Sequence, residues 1–274
     1  MDYNVVWYVI VGMLLLGYAV LDGFDLGVGV LHLFSKGDYN RRIILNSIGP
    51  VWDGNEVWLI TAGGALFAAF PEVYATAFSG FYLPFMFLLV ALIFRAVSIE
   101  FRSKEESPRW RRTWDTNFAI GSVLAALLFG VAIGNVVMGM PIGADKEYTG
   151  TLLDQLRPYP LLTGFFSLSM FTLHGAIYLN LKTEGALQQQ VRGWIKRAYV
   201  VFVLMFALVT AGTLYLRPEM VANFSFGKIS MPGAPHPLIQ NHQVAISVIA
   251  WGIVVLNVLA IANISRTLAR GKDM

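Results

Sequence analysis

The stretch Gly17–Gly29, GYAVLDGFDLGVG, places two carboxylates inside a long apolar segment. Between Val5 and Phe34, Asp22 and Asp25 are the only acidic residues, and there is no lysine or arginine. An isolated carboxylate at mid-membrane costs about 2.5–3.5 kcal/mol on insertion scales. The spacing of three places both acids on one helical face, and the glycines of the stretch allow a neighbouring helix to approach closely. The stretch therefore indicates either a functional pair of acids or acids that only pair with a nearby arginine.

The composition of the chain is that of a helical membrane protein. Of its 274 residues, 56% are hydrophobic and 14% are charged, and apolar segments long enough to cross a bilayer recur. The chain has no cysteine, which excludes disulfides and thiolate-ligated metal, haem or iron–sulfur sites on it. The net charge of +3 does not indicate nucleic acid, because the basic residues lie in loops between apolar runs. The N-terminal sequence MDYNVVW lacks the basic region and cleavage site of a signal peptide, so we expect the first apolar run to be a retained membrane helix.

Seven apolar segments are candidates for membrane spans. They cover approximately residues 5–33, 55–70, 78–98, 117–140, 159–181, 197–216 and 243–265. The second is short and rich in glycine and alanine, but the loop charges favour it: lysines and arginines cluster after the first, third, fifth and seventh segments and are scarce after the others. By the positive-inside rule the basic loops are cytoplasmic. We therefore predict an all-α, polytopic transmembrane helical bundle, a single transmembrane domain over residues 1–274, with seven spans, the N-terminus outside and the C-terminus in the cytoplasm.

Acidic residues from three of these spans are predicted to meet near the cytoplasmic boundary. Asp22 and Asp25 lie in the cytoplasmic half of the first span, Asp53 and Glu56 at the start of the second, and Glu100 at the end of the third. Protonatable side chains and water carry protons through protein of low dielectric constant. The convergence therefore favours a route for proton uptake over a set of scattered salt bridges.

The histidines do not predict a haem site on this chain alone. Haem b in a membrane bundle commonly uses His or Met ligands. Of His32, His174, His236 and His242, only His174 lies well inside a predicted span, so two facing intramembrane histidines are not expected. Ligation of a haem by His174 together with a distant methionine stays open. The favoured interpretation of His174 is a residue that forms a hydrogen bond within the helix bundle. The sequence shows no phosphate-binding glycine loop, metal-binding histidine cluster or nucleophile–base arrangement, which argues against catalysis by the chain alone.

Two long motifs resemble subunit II of the cytochrome bd family of quinol oxidases. They are GYAVLDGFDLGVG and WDGNEVWLITAGGALFAAFP, and the segments NSIGPVWDGN, FSGFY, LIFRAVSIEFRSK and RWRRTWD fit as well. The resemblance is strong across about residues 10–140 and mostly one of topology from 141 onward. We expect residues 1–140 to form a first four-helix bundle and residues 141–274 a partial second one. Since family members continue further, the chain is expected to be truncated or a short variant that lacks the last one or two spans.

The resemblance implies a respiratory terminal oxidase of the bacterial cell (inner) membrane, which oxidises ubiquinol or menaquinol and reduces dioxygen to water. It places the b-type haems, the d-type haem and the quinol-oxidation loop on the partner subunit I. This chain would then be the haem-free subunit, which stabilises subunit I and provides a cytoplasmic path for proton uptake. Membrane lipid is a further expected partner. Whether this chain holds a structural quinone, and whether a small single-helix accessory subunit binds, stays open.

The resemblance also implies roles for individual residues. Asp25, Asp53 and Glu100 match family positions implicated in proton delivery from the cytoplasm, and Glu100 stands where some members have Asp. Asp22, the other acid of the first pair, is added as a candidate. Trp52 matches a position near a bound quinone in some members, although tryptophan is common at membrane interfaces without any ligand.

Two arginines leave the role of Glu100 open. Arg95 lies five residues before it and Arg102 two residues after it. A buried pair with Arg95 would hold Glu100 ionised and make it a poor proton carrier. Arg95 itself is interpreted either as a counter-ion, for an acid or for a haem propionate of the neighbouring chain, or as a residue that extends its charge to the membrane surface.

Two other classes of function stay open. A proton- or ion-coupled transporter would also use intramembrane carboxylates near glycine-rich helices, but it predicts an inverted repeat, and residues 1–140 and 141–274 show no internal similarity. A purely structural scaffold subunit would have the same fold, with the acids dispensable. Substitution of Asp53 by Asn separates the scaffold from the proton path.

Overall fold

The computed structural model describes residues 3–224 and 243–270, and over these ranges the chain is helical. In chain order the α-helices are α1 (Tyr3–Leu21), α2 (Gly23–His32), α3 (Asp38–Ile48), α4 (Trp52–Ala69), α5 (Pro71–Gly80), α6 (Tyr82–Phe101), α7 (Pro108–Met138), α8 (Leu152–Gln155), α9 (Pro158–Lys182), α10 (Gly185–Leu216) and α11 (Gln243–Arg270). A short 3-10 helix, Pro218–Phe224, follows α10. Within the described residues, β pairing is limited to one antiparallel bridge between Ile142 and Tyr148. The all-α prediction is confirmed.

Among the described residues, six helical segments are long and apolar enough to cross a membrane. They are Tyr3–His32, Tyr82–Phe101, Pro108–Met138, Pro158–Lys182, Gly185–Leu216 and Ser247–Leu268. Each overlaps one of the predicted spans, and together they confirm a polytopic membrane protein.

The remaining predicted span, 55–70, corresponds to α4. With a rise of about 1.5 Å per residue, its 18 residues extend about 27 Å. Its first five residues include Asp53, Asn55 and Glu56, which makes it less apolar than the six segments above. The count of seven spans and the orientation of the chain stay predictions.

Prolines and a glycine set several helix boundaries. Pro71, Pro108 and Pro158 occupy the first positions of α5, α7 and α9, where the missing N–H costs no helical hydrogen bond. Gly139 ends α7 with φ of 82°, a left-handed conformation that favours glycine. These signals are local, so they are readable from the sequence.

The helices α1 and α2 are separated by a single residue, Asp22. Its φ of −86° and ψ of −18° are close to helical. Hydrogen bonds from Asp22 N–H to Tyr18 O (2.8 Å) and from Leu26 N–H to Asp22 O (2.9 Å) continue across the junction. The two helices therefore form one continuous segment, which places Asp22 within its length.

Close contacts between chain segments divide the protein into two units, residues 1–202 and 203–274, with the boundary inside α10. In the first unit α7 packs against α2, α6 and α9, α2 packs against α9, and α1 packs against α4. One cluster of its buried apolar core comprises Leu26, Leu88, Ala91, Ala125, Ala126 and Phe171. The division into a bundle of residues 1–140 and a second one of residues 141–274 stays a prediction. Helix α9 lies beyond residue 140 but packs on α2 and α7 within the first unit.

Glycines bring α2 and α9 into backbone contact. A Cβ atom added at Gly27 would collide with the carbonyl group of Phe171, and one added at Gly175 would collide with the backbone of Gly27 and Val28. The other glycines of the first motif meet side chains of neighbouring helices: Gly17 meets Trp58, Gly23 meets Phe171 and Gly29 meets Ser122. Between membrane helices, such small residues permit the close packing that lipid does not otherwise favour. The close helix approach predicted from these glycines is confirmed.

The second unit contains the end of α10, the 3-10 helix and α11. Trp251 of α11 donates its Nε1–H to the carbonyl oxygen of Phe224 over 3.0 Å, and the two rings lie 5.6 Å apart. His236 and His242 lie outside the described residues.

Candidate functional site

Arg95 of α6 binds two carboxylates that come from other helices. Its Nη2 donates to Asp22 Oδ1 over 2.8 Å, and its Nη1 donates to Glu56 Oε1. The side chains of Arg95 and Asp22 are fully enclosed, whereas that of Glu56 is 21% exposed. Arg95 thus joins α6 to the α1–α2 junction and to α4, and it stands as a counter-ion to acids of this chain.

Asp25 adds a third carboxyl group to those of Asp22 and Glu56. Its side chain is fully buried, and its Oδ2 accepts a hydrogen bond from Asn55 Nδ2 over 2.7 Å. Its Oδ1 has no hydrogen-bond partner among the described residues, and neither have Asp22 Oδ2, the Tyr18 hydroxyl and Arg95 Nε. We name Asp22, Asp25, Asn55, Glu56 and Arg95 the Arg95 cluster.

The Arg95 cluster contains more acidic than basic groups, with three carboxyls against one guanidinium. An uncompensated buried charge is costly. At least one of these carboxyls therefore lacks a cation of its own and is a place where a proton can be held. Several unpaired polar atoms in one buried cluster are also typical of positions that ordered water satisfies.

The other acids predicted from the sequence lie outside this cluster. Asp53, three residues before Glu56 on α4, is exposed and has no hydrogen-bond partner within the described part of the chain. Glu100, near the end of α6, is exposed as well, and neither Arg95 nor Arg102 pairs with it. Trp52 is half-buried at the start of α4.

A second ionic cluster surrounds Asp115 in the early turns of α7. Asp115 Oδ1 accepts hydrogen bonds from Arg102 Nε and His32 Nε2, each over 2.5 Å. Asp115 Oδ2 accepts from Arg41 Nη1 over 2.9 Å. The Asp115 side chain is only 2% exposed, so this one buried carboxylate is held by three potential cations.

Asp38 at the start of α3 extends this second cluster to the surface. It accepts hydrogen bonds from Arg102 Nη2 (2.7 Å) and Arg111 Nη1 (2.9 Å). Burial lowers the pKa of Arg102, but the hydrogen bonds and charges of Asp115 and Asp38 outweigh this effect and raise that pKa above its ordinary value. Arg102 is therefore permanently charged. We name His32, Asp38, Arg41, Arg102, Arg111 and Asp115 the Asp115 cluster.

Sequence reasoning placed Glu56 among the acids that meet at the cytoplasmic boundary without assigning it a role of its own, and it did not select Asn55 or Asp115. Asn55 and Glu56 share a helical turn with Asp53, and the direction in which α4 faces decides which acid turns inward. The residues after Glu56 on α4 are apolar or small on all sides, so they give no amphipathic signal for that direction. For Asp115 a signal was present in RWRRTWD, where an acid follows three arginines at the start of an apolar run.

The two described histidines, His32 and His174, contact different parts of the protein. His32 is engaged by Asp115, and its ring lies edge-on to Phe118 at 5.4 Å. His174 on α9 lies edge-on to Phe24 at 5.7 Å. Over residues 3–224 and 243–270, no group of three or more His, Asp or Glu side chains is arranged to hold a metal ion.

Fold and site together define a multi-pass helical membrane protein with a buried cluster of carboxylates around one arginine. The family model for cytochrome bd terminal oxidase subunit II matches residues 3–274, and the chain belongs to this family. The resemblance seen in the sequence motifs is thereby confirmed. As a member of this family, with six segments able to cross a membrane, the chain is a multi-pass protein of the bacterial inner membrane.

Similar proteins come from several bacteria. The chain is 47% identical over 222 residues to cytochrome bd-I ubiquinol oxidase subunit 2 of Escherichia coli (strain K12), with 78% of this chain and 59% of that protein covered. It is 41% identical over 252 residues to a probable cytochrome oxidase subunit 2 of Haemophilus influenzae, covering 90% and 65%. It is 40% identical over 209 residues to cytochrome bd ubiquinol oxidase subunit 2 of Bacillus subtilis, covering 75% and 62%. The matches thus extend over about three fifths of the length of these relatives.

A solved structure shows the same fold. A chain of the bd oxidase from Geobacillus thermodenitrificans superposes with a TM-score of 0.68 at 18% identity, covering 82% of this chain and 70% of that one. At this level of identity the likeness concerns the fold alone.

Proposed function

We propose that this chain is the haem-free subunit of a bd-type terminal oxidase, a complex that oxidises quinol and reduces dioxygen to water. Its family and the names of its relatives in Escherichia coli and Bacillus subtilis support this role. The haem b and haem d groups that such a reaction needs are assigned to a partner subunit I, as the resemblance to the family implies. The chain would stabilise that subunit in the membrane.

The Arg95 cluster is proposed to form part of the path for proton uptake. The observation that carries this proposal is Asp25: its carboxyl is fully buried, one oxygen is bound by Asn55, and the other is without a partner among the described residues. A carboxyl beside a cluster with an excess of acids can bind a proton and release it toward a neighbour.

The remaining acids suggest where a proton would enter. Asp53 is exposed, Glu56 is partly exposed and touches Arg95, and Arg95 touches the buried Asp22. The order Asp53, Glu56, Asp22 and Asp25 therefore leads from the surface to the interior of the protein. Glu100, exposed near the end of α6, is proposed as a second surface acid of the path.

Two further expectations belong to the same proposal. Trp52, half-buried at the start of α4, is the candidate for contact with a structural quinone. Membrane lipid and a small single-helix accessory subunit are proposed as additional partners of the complex.

The proton role is tested by Asp25→Asn in the assembled complex. We expect quinol-driven dioxygen consumption to fall roughly a hundredfold, since a positioned acid or base typically contributes at least that much. The haem absorption bands should stay at the wild-type level. Asp145→Asn, the same change in an exposed loop, is the matched control.

Two outcomes would contradict this role. Full turnover of the Asp25→Asn variant would exclude a proton role for Asp25, and loss of the haem bands would show that Asp25 is structural. A pure scaffold predicts full turnover for Asp53→Asn and Glu100→Gln as well. The haem assignment is tested separately: the bands should appear only when a second, larger chain co-purifies.

A further inference from the structure

A basic cleft lies along the first turns of α7. Arg109, Arg112, Thr113, Thr116 and Asn117 line a space of about 480 Å³. The first four of these residues recur at the spacing of one helical face. The cleft is separate from the Arg95 cluster and serves no step of the proposed proton path.

The two arginines of this cleft differ from the basic residues beside them. Arg41, Arg102 and Arg111 are each bound to a carboxylate of the Asp115 cluster. Arg109 and Arg112 are exposed and have no carboxylate partner in the described part of the chain. Glu106 lines the adjoining cleft together with Arg112, and the two make no ion pair. The cleft therefore carries two positive charges that are in no ion pair within the described part of the chain.

The position of these charges on α7 is electrostatically unfavourable. The N-terminus of an α-helix carries about half a positive charge, which favours acids and disfavours arginines. The first turn of the 31-residue α7 contains no acidic residue, yet the chain places Arg109, Arg111 and Arg112 at this end. A bound anion would remove this conflict, since it interacts favourably with both the arginines and the helix terminus.

The cleft lies at a level typical of the membrane–water boundary. Trp110 donates its Nε1–H to the carbonyl oxygen of Phe101 over 2.8 Å, and its ring lies 5.5 Å from that of Trp114. Tryptophans are enriched at lipid headgroups, and from Phe118 onward α7 is mainly apolar. An anion that reaches this cleft is therefore presented by the headgroup layer.

We propose that this cleft binds the phosphate group of an anionic phospholipid. Arg109 and Arg112 provide the positive charge, and the half-buried Asn117 provides an amide donor. Thr113 and Thr116 only line the cleft, because their hydroxyls donate to the carbonyl oxygens of Arg109 (3.0 Å) and Arg112 (2.9 Å). A zwitterionic headgroup is disfavoured, since its ammonium would be brought near two arginines. Basic pockets on membrane helices recognise anionic headgroups by this chemistry.

The test uses the full chain with its co-purifying subunits in nanodiscs of phosphatidylcholine with a minor fraction of phosphatidylglycerol. Native mass spectrometry after mild delipidation counts the phosphatidylglycerol that is retained. We expect wild type to retain phosphatidylglycerol in preference to phosphatidylcholine, and Arg109→Gln/Arg112→Gln to weaken that retention roughly tenfold or more. Arg42→Gln, which removes an exposed charge from α3, is the matched control and should retain the lipid.

Further arms separate the sources of the anion. Arg109→Lys/Arg112→Lys keeps the charges and should retain most of the binding, which also guards against a folding defect of the glutamine variant. Inorganic phosphate should compete poorly. Equal retention by wild type and the glutamine variant, or equal retention of the two lipids, would overturn the proposal. So would displacement by inorganic phosphate, or loss of a partner subunit from the glutamine variant with lipid retention unchanged.

Discussion

The Arg95 cluster surrounds one guanidinium with carboxyl groups, whereas the Asp115 cluster surrounds one carboxylate with cations. The central groups of both, Arg95 and Asp115, are buried, and both clusters join several helices, so burial of the central group alone does not distinguish them. In the first, Arg95 binds Asp22 and Glu56, and Asp25, bound by Asn55, is left without a cation of its own. In the second, Asp115 is bound by His32, Arg41 and Arg102, and no acid is left over. The proportion of acids to cations therefore separates a candidate for proton transfer from a structural junction.

The largest expected effect comes from removing the single cation of the Arg95 cluster. Arg95→Met leaves Asp22 and Glu56 without a partner, and breaking a buried pair costs about 3–5 kcal/mol. We expect a correspondingly lower unfolding temperature and yield in mild detergent. Combining it with Asp22→Asn and Glu56→Gln should restore most of the loss. Wild-type stability of Arg95→Met would show that the cluster is not held by charge.

Removing one acid from each cluster sharpens the comparison. Asp115→Asn leaves Arg41 and His32 without a carboxylate and should cost about 3 kcal/mol. Asp22→Asn still leaves Arg95 paired with Glu56 and should cost about 1 kcal/mol. Unfolding measured side by side in one detergent gives the order of the two variants. The reverse order would contradict the assignment of the excess acids to the Arg95 cluster.

A smaller effect, on turnover, is expected when one acid is removed from each cluster. Glu56→Gln should slow quinol-driven dioxygen consumption about tenfold, because it removes a protonatable group from the route to Asp25. Asp38→Asn, which removes an acid from the Asp115 cluster, should leave turnover near the wild-type rate. Oxygen electrode measurements on complexes with equal haem content check both. Equal slowing by the two substitutions would mean that charge removal acts through stability.

The smallest effect is expected for Asp154, an exposed acid outside both clusters. Its substitution shows how little the loss of an exposed carboxylate changes stability. Hydrogen bonds from Thr151, and then from Arg157, lower the pKa of Asp154 from 3.8 to about 2. A lowered pKa in the folded state stabilises the protein above pH 3.8, and this contribution is lost as pH falls toward 2. Asp154→Asn should therefore differ slightly from wild type near neutral pH and converge with it in acid. Unfolding curves across this pH range test the sign, and a gap that widens in acid would contradict it.

Much of the architecture was predictable because its signals are local. The apolar segments, the prolines at the helix starts and the glycines of the first motif all indicate structure within a few residues. The partners of the buried charges were not predictable in the same way. Glu56 instead of Asp53 reaches Arg95 because of the way α4 is rotated, and Arg102 turns to Asp38 and Asp115 and away from Glu100. Such rotations depend on contacts distant in sequence, and helices that are apolar on all sides do not reveal them.

The contact between Asp22 and Arg95 has a consequence for biosynthesis. The two residues are 73 positions apart, and at about 5–20 residues per second the ribosome needs roughly 4–15 s to pass from one to the other. The first apolar segment therefore emerges before its counter-ion has been made. During that interval, either the hydrophobicity of the surrounding leucines and valines offsets the cost of inserting the two acids, or the segment stays at the membrane surface. Stable insertion of α2 is thus coupled to the later arrival of α6.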